Sequence, residues 1–230
     1  MKILGLIPAR GGSKGIPRKN IKKLGDKELI RYTIETGLQC RSLDQLVVST
    51  EDDEIAAISA LAGASVPFLR PAALASDHSP TLDTVLHAMQ YFDAQQQPFD
   101  AVCLLQPTIP FRSVTDIEAA INAFKDHEAD SLISVREVPH TYNPHWVFEV
   151  KPGTNFLDIA TGEGHIITRR QDLPKAYYRD GSIYISSRKA LLEQGSLYGQ
   201  NIAYHINEQS PDINIDTPAD WEQAEAYLKT

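Results

Sequence analysis

The stretch Pro8-Ala-Arg-Gly-Gly-Ser-Lys-Gly-Ile-Pro-Arg-Lys-Asn20 concentrates what a polyphosphate needs from a protein. Gly11, Gly12 and Gly15 free the backbone to take positive φ angles and to come close to a ligand, so that successive N–H groups can converge on phosphate oxygens. Arg10, Lys14 and Lys19 bring full positive charge to the same place. Eight lysines and arginines stand between residues 10 and 31 against only Asp26 and Glu28, in a chain of 230 residues whose net charge is −8. Cations gathered into one short segment of an acidic protein point to a polyanionic small molecule. The acidic whole disfavours nucleic acid and anionic membrane surfaces, which repel it. The loop has neither the G-x-x-x-x-G-K-[ST] spacing nor the G-x-G-x-x-G spacing, which weakens kinase-type and dehydrogenase readings. A glycine-rich turn carrying solvated lysines is the competing account.

Other residue types define weaker candidates. Gln106-Pro-Thr108-Ile-Pro-Phe-Arg112 begins where a buried strand ends, a place where substrates gather, although two prolines would also stiffen a plain turn there. Arg169, Arg170 and Gln171 could grip a carboxylate through the guanidinium fork, or Arg169 and Arg170 could pair with Asp172 or Asp180. The acidic run Glu51 to Glu54 fits a helix start, where carboxylates complement the dipole, better than a metal site. Tyr177, Tyr178 and Trp146 suit an interface between copies better than a sugar platform. His140, His145 and His165 lie too far apart on turn-rich sequence to be metal ligands. Cys40 and Cys103 suggest neither a disulfide framework nor zinc, and a cytoplasmic location is expected.

The elements that must position these residues follow from hydrophobic spacing. Strands are expected over Lys2 to Ile7, Asp44 to Ser49, Ser65 to Leu69, Asp100 to Gln106, Ser131 to Val135, Gly181 to Ser187 and Ile202 to Ile206. Helices are expected from Leu29 to Leu38, after Thr50 as N-cap, from Thr81 to Phe92, from Val114 to Lys125, and after Thr217-Pro218. Strands alternating with helices of ten or more residues imply a three-layer α/β domain around a mostly parallel sheet. The opening apolar run is too short for a signal sequence or a membrane span. One domain over residues 1–230 is expected, with the turn-rich, aromatic segment at about 138–180 forming a small arm.

IPARGGSKGIPRKN, VVSTEDDEIA, FLRP, LLQPTIPFR, RRQDLP and INIDTPADW, in that order, resemble the acylneuraminate cytidylyltransferases, the CMP-sialic acid synthetases. The resemblance runs from Ile7 to about Trp221. It implies a Rossmann-like nucleotidyltransferase fold and a homodimer with an exchanged arm for dimer contact. It also implies a Mg²⁺-dependent transfer of CMP from CTP to the anomeric hydroxyl of an acidic nine-carbon sugar. By the same resemblance Arg10, Lys14 and Lys19 are catalytic, with Lys19 at the α-phosphate. Gly11, Gly12, Ser13, Asn20, Arg70 and Ser79 then bind nucleotide, and Gln106, Thr108 and Arg170 bind sugar. The metal motif departs from the family's Asp-x-Asp-Thr, because Asp212-Ile-Asn214-Ile-Asp216-Thr217 has Asn at the first aspartate position. Asp216 is the expected ligand, with Asn214 or Asp212 as its companion, and helix capping is its alternative role.

Three rival functions have their own signatures. A cytidylyltransferase for the eight-carbon acid Kdo would carry Gly-Asp-Glu-Pro after the central glutamine, where this chain reads Pro-Thr-Ile-Pro. A glycosyltransferase commonly holds its metal with Asp-x-Asp, which is absent here. A nucleotide-binding module without catalysis stays open through Asn214. LLQPT and RRQDLP lean toward sialic or legionaminic acid and away from pseudaminic acid.

Overall fold

The computed structural model describes residues 1–208 and 210–230. The strands are β1 (Ile3–Pro8), β2 (Lys23–Leu24), β3 (Lys27–Glu28), β4 (Gln45–Ser49), β5 (Ala101–Leu104), β6 (Ser131–Glu137), β7 (Phe148–Val150), β8 (Leu157–Ile159), β9 (Tyr177–Ser187) and β10 (Ile202–Ile206). The α-helices are α1 (Leu29–Gln39), α2 (Asp53–Leu61), α3 (Thr81–Ala94), α4 (Val114–Asp126), α5 (Arg188–Leu192) and α6 (Pro218–Tyr227). The chain divides into two compact units, residues 1–134 with 180–230, and residues 135–179.

The first unit is built on a six-stranded sheet in the order β10-β6-β9-β5-β1-β4. β1 lies parallel to both β4 and β5, as the alternation of strands and helices requires. β9 runs antiparallel to β5, so the sheet is mixed at this point. β1 is apolar at almost every position because both its faces are covered. Ile3 and Ile7 join Ile30, Ile34, Ile117 and Phe124 in one core, whereas Leu4 and Leu6 join Val85, Met89 and Phe92 in the other. Each of these buried apolar side chains stabilises the fold by about 1.5–3 kcal/mol relative to exposure. Because β1, β4 and β5 are parallel, their carboxyl ends at Pro8, Ser49 and Leu104 open on one edge, where the candidate segments emerge.

Two local expectations are corrected. Residues 65–69 contribute only a single parallel bridge, Ser65 to Val47. Ser65 exchanges bonds with Leu46 O and Val48 N, and Pro67 then has no N–H to continue a ladder. The N-cap of α2 is Asp52, whose Oδ1 accepts from Glu54 N at 3.1 Å and Ile55 N at 3.0 Å. Thr50 sits two residues earlier, its Oγ1 accepting from Asp52 N. At the other end of the chain, Thr217 and Asp220 form a reciprocal capping box with Pro218 in the first turn of α6.

The second unit consists of short turns and the antiparallel β7–β8 hairpin. Trp146 Nε1 donates to Ile167 O at 2.6 Å, and the buried Asn143 Nδ2 donates to Pro174 O at 2.9 Å. These bonds give backbone carbonyls in turn-rich chain the partners they would otherwise lack. Phe148, Val150, Phe156 and Leu157 of the hairpin region are exposed. Among the described residues, no helix is long and apolar enough to cross a membrane.

Candidate active site

A small third core fixes the glycine-rich loop. Ile16 packs with Leu24, Leu29, Ile213, Ile215, Trp221 and Ala224, so the loop is anchored against the C-terminal segment and α6. Residues 212–216 alternate, with Ile213 and Ile215 buried and Asp212, Asn214 and Asp216 exposed. Ile215 N donates to Thr108 O at 2.8 Å, and Lys19 Nζ donates to Ile215 O at 2.6 Å. Three segments distant in sequence therefore meet at the end of the parallel strands. Arg112 completes the scaffold from below. Its buried guanidinium donates to Gln106 O at 2.6 Å, Thr33 Oγ1 at 2.9 Å and Ser182 O at 3.1 Å. Burial pushes its pKa down to about 10, which leaves it charged at neutral pH.

These segments enclose a cavity of about 430 Å³. Of the residues expected to act, Arg10, Ser13, Lys14, Lys19, Asn20, Arg70, Ser79, Gln106, Thr108 and Asp216 line it. Gly11, Gly12, Asp212, Asn214 and Arg170 do not. Arg170 belongs to the second unit and lines a separate cleft of about 360 Å³ with His140, Asn143 and Lys175. Its neighbour Arg169 pairs with Asp172 at 2.6 Å.

The loop glycines are needed for a reason other than the expected one. Neither Gly11, Gly12 nor Gly15 has a positive φ, and the left-handed residue of the loop is Arg18, at φ 55°. A Cβ on Gly15 would overlap the Asp216 carbonyl, and one on Gly11 would overlap the Asp52 carboxylate, whereas Gly12 faces open space. Close approach of the loop to its own supports, rather than an unusual backbone angle, is what excludes a side chain at Gly11 and Gly15.

Every cation lining the cavity already meets an acid. Arg10 Nη2 lies 2.7 Å and Lys14 Nζ 2.8 Å from the two oxygens of Asp77. Lys19 Nζ lies 2.9 Å from Asp216 Oδ1, whose other oxygen accepts from Asn214 Nδ2 at 2.8 Å. Arg70 is buried between Glu51 (3.0 Å) and Thr84 Oγ1 (3.1 Å), with its Nε left without a partner. Asn20 is also buried, and its side-chain amide holds the loop through Arg10 O at 2.9 Å. Arg18 points elsewhere: it forks onto Asp52 and reaches Glu54 at 2.6 Å. That pairing raises the Arg18 pKa and holds the Asp52 carboxyl below its ordinary range. Of the acidic run from residue 51 to 54, then, Glu51, Asp52 and Glu54 each meet an arginine, and Asp52 also caps α2.

Asp77 and Thr84 were not singled out by sequence reading. Ala-Ser-Asp-His-Ser-Pro carries only a turn signal, and the carboxylate acquires meaning when folding sets it opposite Arg10 and Lys14. Asp77 and Asp216 are the cavity's carboxylates among the described residues. A site for Mg²⁺ needs one or two carboxylates, with water and phosphate oxygens completing the octahedron. The exposed carboxylate of Asp216 suits that donor set. No group of three or more metal-binding side chains occurs among the described residues.

A mostly parallel α/β sheet with a basic cavity at its carboxyl edge defines a nucleotide-binding enzyme of the nucleotidyltransferase type. A family model described as cytidylyltransferase matches residues 4–229, and the chain belongs to that family. It is 36% identical to the CMP-N,N'-diacetyllegionaminic acid synthase of Legionella pneumophila, over all of this chain and 97% of that one. It is 32% identical to a pseudaminic acid cytidylyltransferase of Campylobacter jejuni, again over all of this chain and 97% of the relative. Among solved structures, a CMP:2-keto-3-deoxy-manno-octonic acid synthetase complexed with CTP matches with a TM-score of 0.75 at 20% identity. That alignment covers the whole chain and 99% of its counterpart, and supports the fold.

Proposed function

We propose that the protein transfers CMP from CTP to the anomeric hydroxyl of an acidic nine-carbon sugar, releasing pyrophosphate. The observation that carries the reading is that Arg10, Lys14 and Lys19 line one cavity together with Asp216 and the Gln106 to Thr108 turn. Nucleotidyl transfer depends on charge neutralisation and in-line positioning more than on covalent catalysis, and this cavity has the groups for both. The hydroxyl oxygen attacks the α-phosphorus, the bond from that phosphorus to the bridging oxygen breaks with its electron pair leaving on pyrophosphate, and the hydroxyl proton passes to water. Lys19 stabilises the charge that grows on the α-phosphoryl oxygens, while Arg10 and Lys14 hold the β- and γ-phosphates. Gln106 and Thr108 orient the sugar, with Gln106 held at its carbonyl by Arg112.

Asp216 holds Mg²⁺, which neutralises phosphate charge when bound, and Asn214 steadies the carboxylate through its Oδ2. Asp212 lies outside the cavity and has no part in this assignment. The exposed apolar hairpin supports a homodimer, since a patch of this kind marks an interaction surface. In such a dimer Arg170 serves the sugar from the arm. The reading places the enzyme in the cytoplasm, with its nucleotide.

Relatives named for legionaminic and pseudaminic acids both cover the chain, so both acids belong in the test beside N-acetylneuraminic acid. Purified protein with CTP and Mg²⁺ is expected to release pyrophosphate with one nine-carbon acid and not with Kdo. Release with Kdo alone overturns the acceptor assignment, and release with no acidic sugar returns the chain to a binding module.

A further inference from the structure

Asp77 is the acid whose removal would free two cavity cations together. One of its oxygens meets Arg10 and the other meets Lys14, at 2.7 and 2.8 Å. The carboxylate thus spans the two cations as neighbouring phosphate oxygens would. The other acid–cation contacts are arranged differently. Arg70 is buried against Glu51 and Thr84, and Lys19 is tied to a backbone carbonyl as well as to Asp216. The Asp77 bridge is open to water, since Lys14 is 76% and Asp77 31% exposed. An exposed pair of this kind exchanges easily for a stronger anion.

The segment carrying Asp77 is braced independently of that bridge. Ser79 Oγ donates to Ala73 O at 2.9 Å and meets Ser76 Oγ at 2.7 Å, and Ser76 N donates to Ser79 Oγ. Breaking the bridge therefore leaves the local turn its own bonds. A triphosphate reaching Arg10 and Lys14 would also bring like charges against Asp77 at contact distance, where repulsion is greatest.

Resting on the CTP reading above, we propose that Asp77 is a built-in stand-in for the polyphosphate. It occupies Arg10 and Lys14 in the free enzyme, yields them to CTP, and recaptures them as pyrophosphate leaves. The residue then sets how tightly polyanions are held, weakening CTP binding in exchange for product release.

The test is calorimetric titration of wild type and Asp77→Asn with CTP plus Mg²⁺, and with inorganic tripolyphosphate in the absence of divalent ions. Asp77→Asn is expected to bind both about three- to tenfold more tightly, the range expected from removing one or two exposed charge contacts. Pyrophosphate should inhibit its turnover at correspondingly lower concentration, with a melting temperature near that of wild type. Asp77→Ala, read the same way, guards against a defect peculiar to asparagine. Unchanged or weaker tripolyphosphate binding by both variants overturns the proposal. Weaker CTP binding cured by raised Mg²⁺ would make Asp77 a metal ligand instead. Wild type that binds tripolyphosphate but not CTP refutes the cytidine reading alone, while the comparison of variants still judges Asp77.

Discussion

Replacing Lys19 by methionine separates its postulated work on the ligand from its work in the fold, because methionine keeps most of the stem and removes the charge. Lys19 Nζ donates to Ile215 O and to Asp216 Oδ1, and its side chain is only 12% exposed. The bond from a charged donor to the carbonyl stabilises by about 1.5–3 kcal/mol, and the pair with the largely exposed Asp216 by less than about 1 kcal/mol. A loss of roughly 2 kcal/mol lowers the melting temperature of a chain this size by about 4–8 °C. Starting from a stability of about 5–15 kcal/mol, the variant remains almost wholly folded at 25 °C. Loss of one preorganised charge at the reacting phosphate instead costs about 10²–10³ in kcat. Pyrophosphate release with saturating CTP gives kcat, and calorimetric melting gives stability. If turnover stays within tenfold of wild type in folded protein, Lys19 does not act on the transition state. A melting collapse that carries activity down with it would make the residue a strut.

Gly15→Ala should destabilise the protein by about 1–3 kcal/mol and depress turnover, since its methyl overlaps the Asp216 carbonyl, whereas Gly12→Ala should melt like wild type. Equal melting temperatures for the two variants would refute the close-approach account. Asp216→Asn should abolish the dependence of turnover on Mg²⁺ concentration or turnover itself, and an unchanged Mg²⁺ response would move the metal elsewhere. Asp52 has a folded pKa depressed first by its hydrogen bond to Arg18, so its stabilisation is present above an unfolded value near 4 and is lost as pH falls through the folded one. Asp52→Asn should therefore melt below wild type at pH 7, with a gap that narrows as pH falls below about 4, and a gap independent of pH would rule this linkage out. Phe156→Asp, in the exposed arm hairpin, should turn a dimer into a monomer in sedimentation velocity, and a monomeric wild type would end the dimer proposal.

Local chemistry carried much of the fold. β1, α1 and α3 arise where apolar spacing marks them, α4 adds the Ser113 cap, and at α6 Thr217-Pro218 is the clearest signal because cap and first-turn proline are adjacent. The start of α2 shows the opposite. Thr50, Asp52 and Asp53 are all good caps by type, and the choice among them rests on which oxygen reaches the second and third amides of the turn. The run after Ser65 resembles a strand by composition, yet Pro67 ends its pairing after one bridge. β9 could not be oriented from its own residues, since an antiparallel and a parallel neighbour bury the same Ile183 and Ile185.

For the site, sequence spoke about cations and was silent about their partners. Lys19 and Asp216 are 197 positions apart, and Arg10 and Asp77 are paired only because the parallel strands deliver their following segments to one edge. A basic loop can be found by counting charge within a window, whereas an acid set against it from a remote turn has no signature in that window. The glycines illustrate the same limit. Their clustering correctly marked a place of close approach, but the approaching groups are Asp52 and the Asp216 backbone, so the loop is drawn tight against the protein before any ligand is considered. A cavity assembled in this way begins with its cations positioned and already neutralised. Affinity for a polyanion then depends on the difference between the ligand's hold on Arg10 and Lys14 and the hold of Asp77, and that difference is set by a residue lying outside the basic loop.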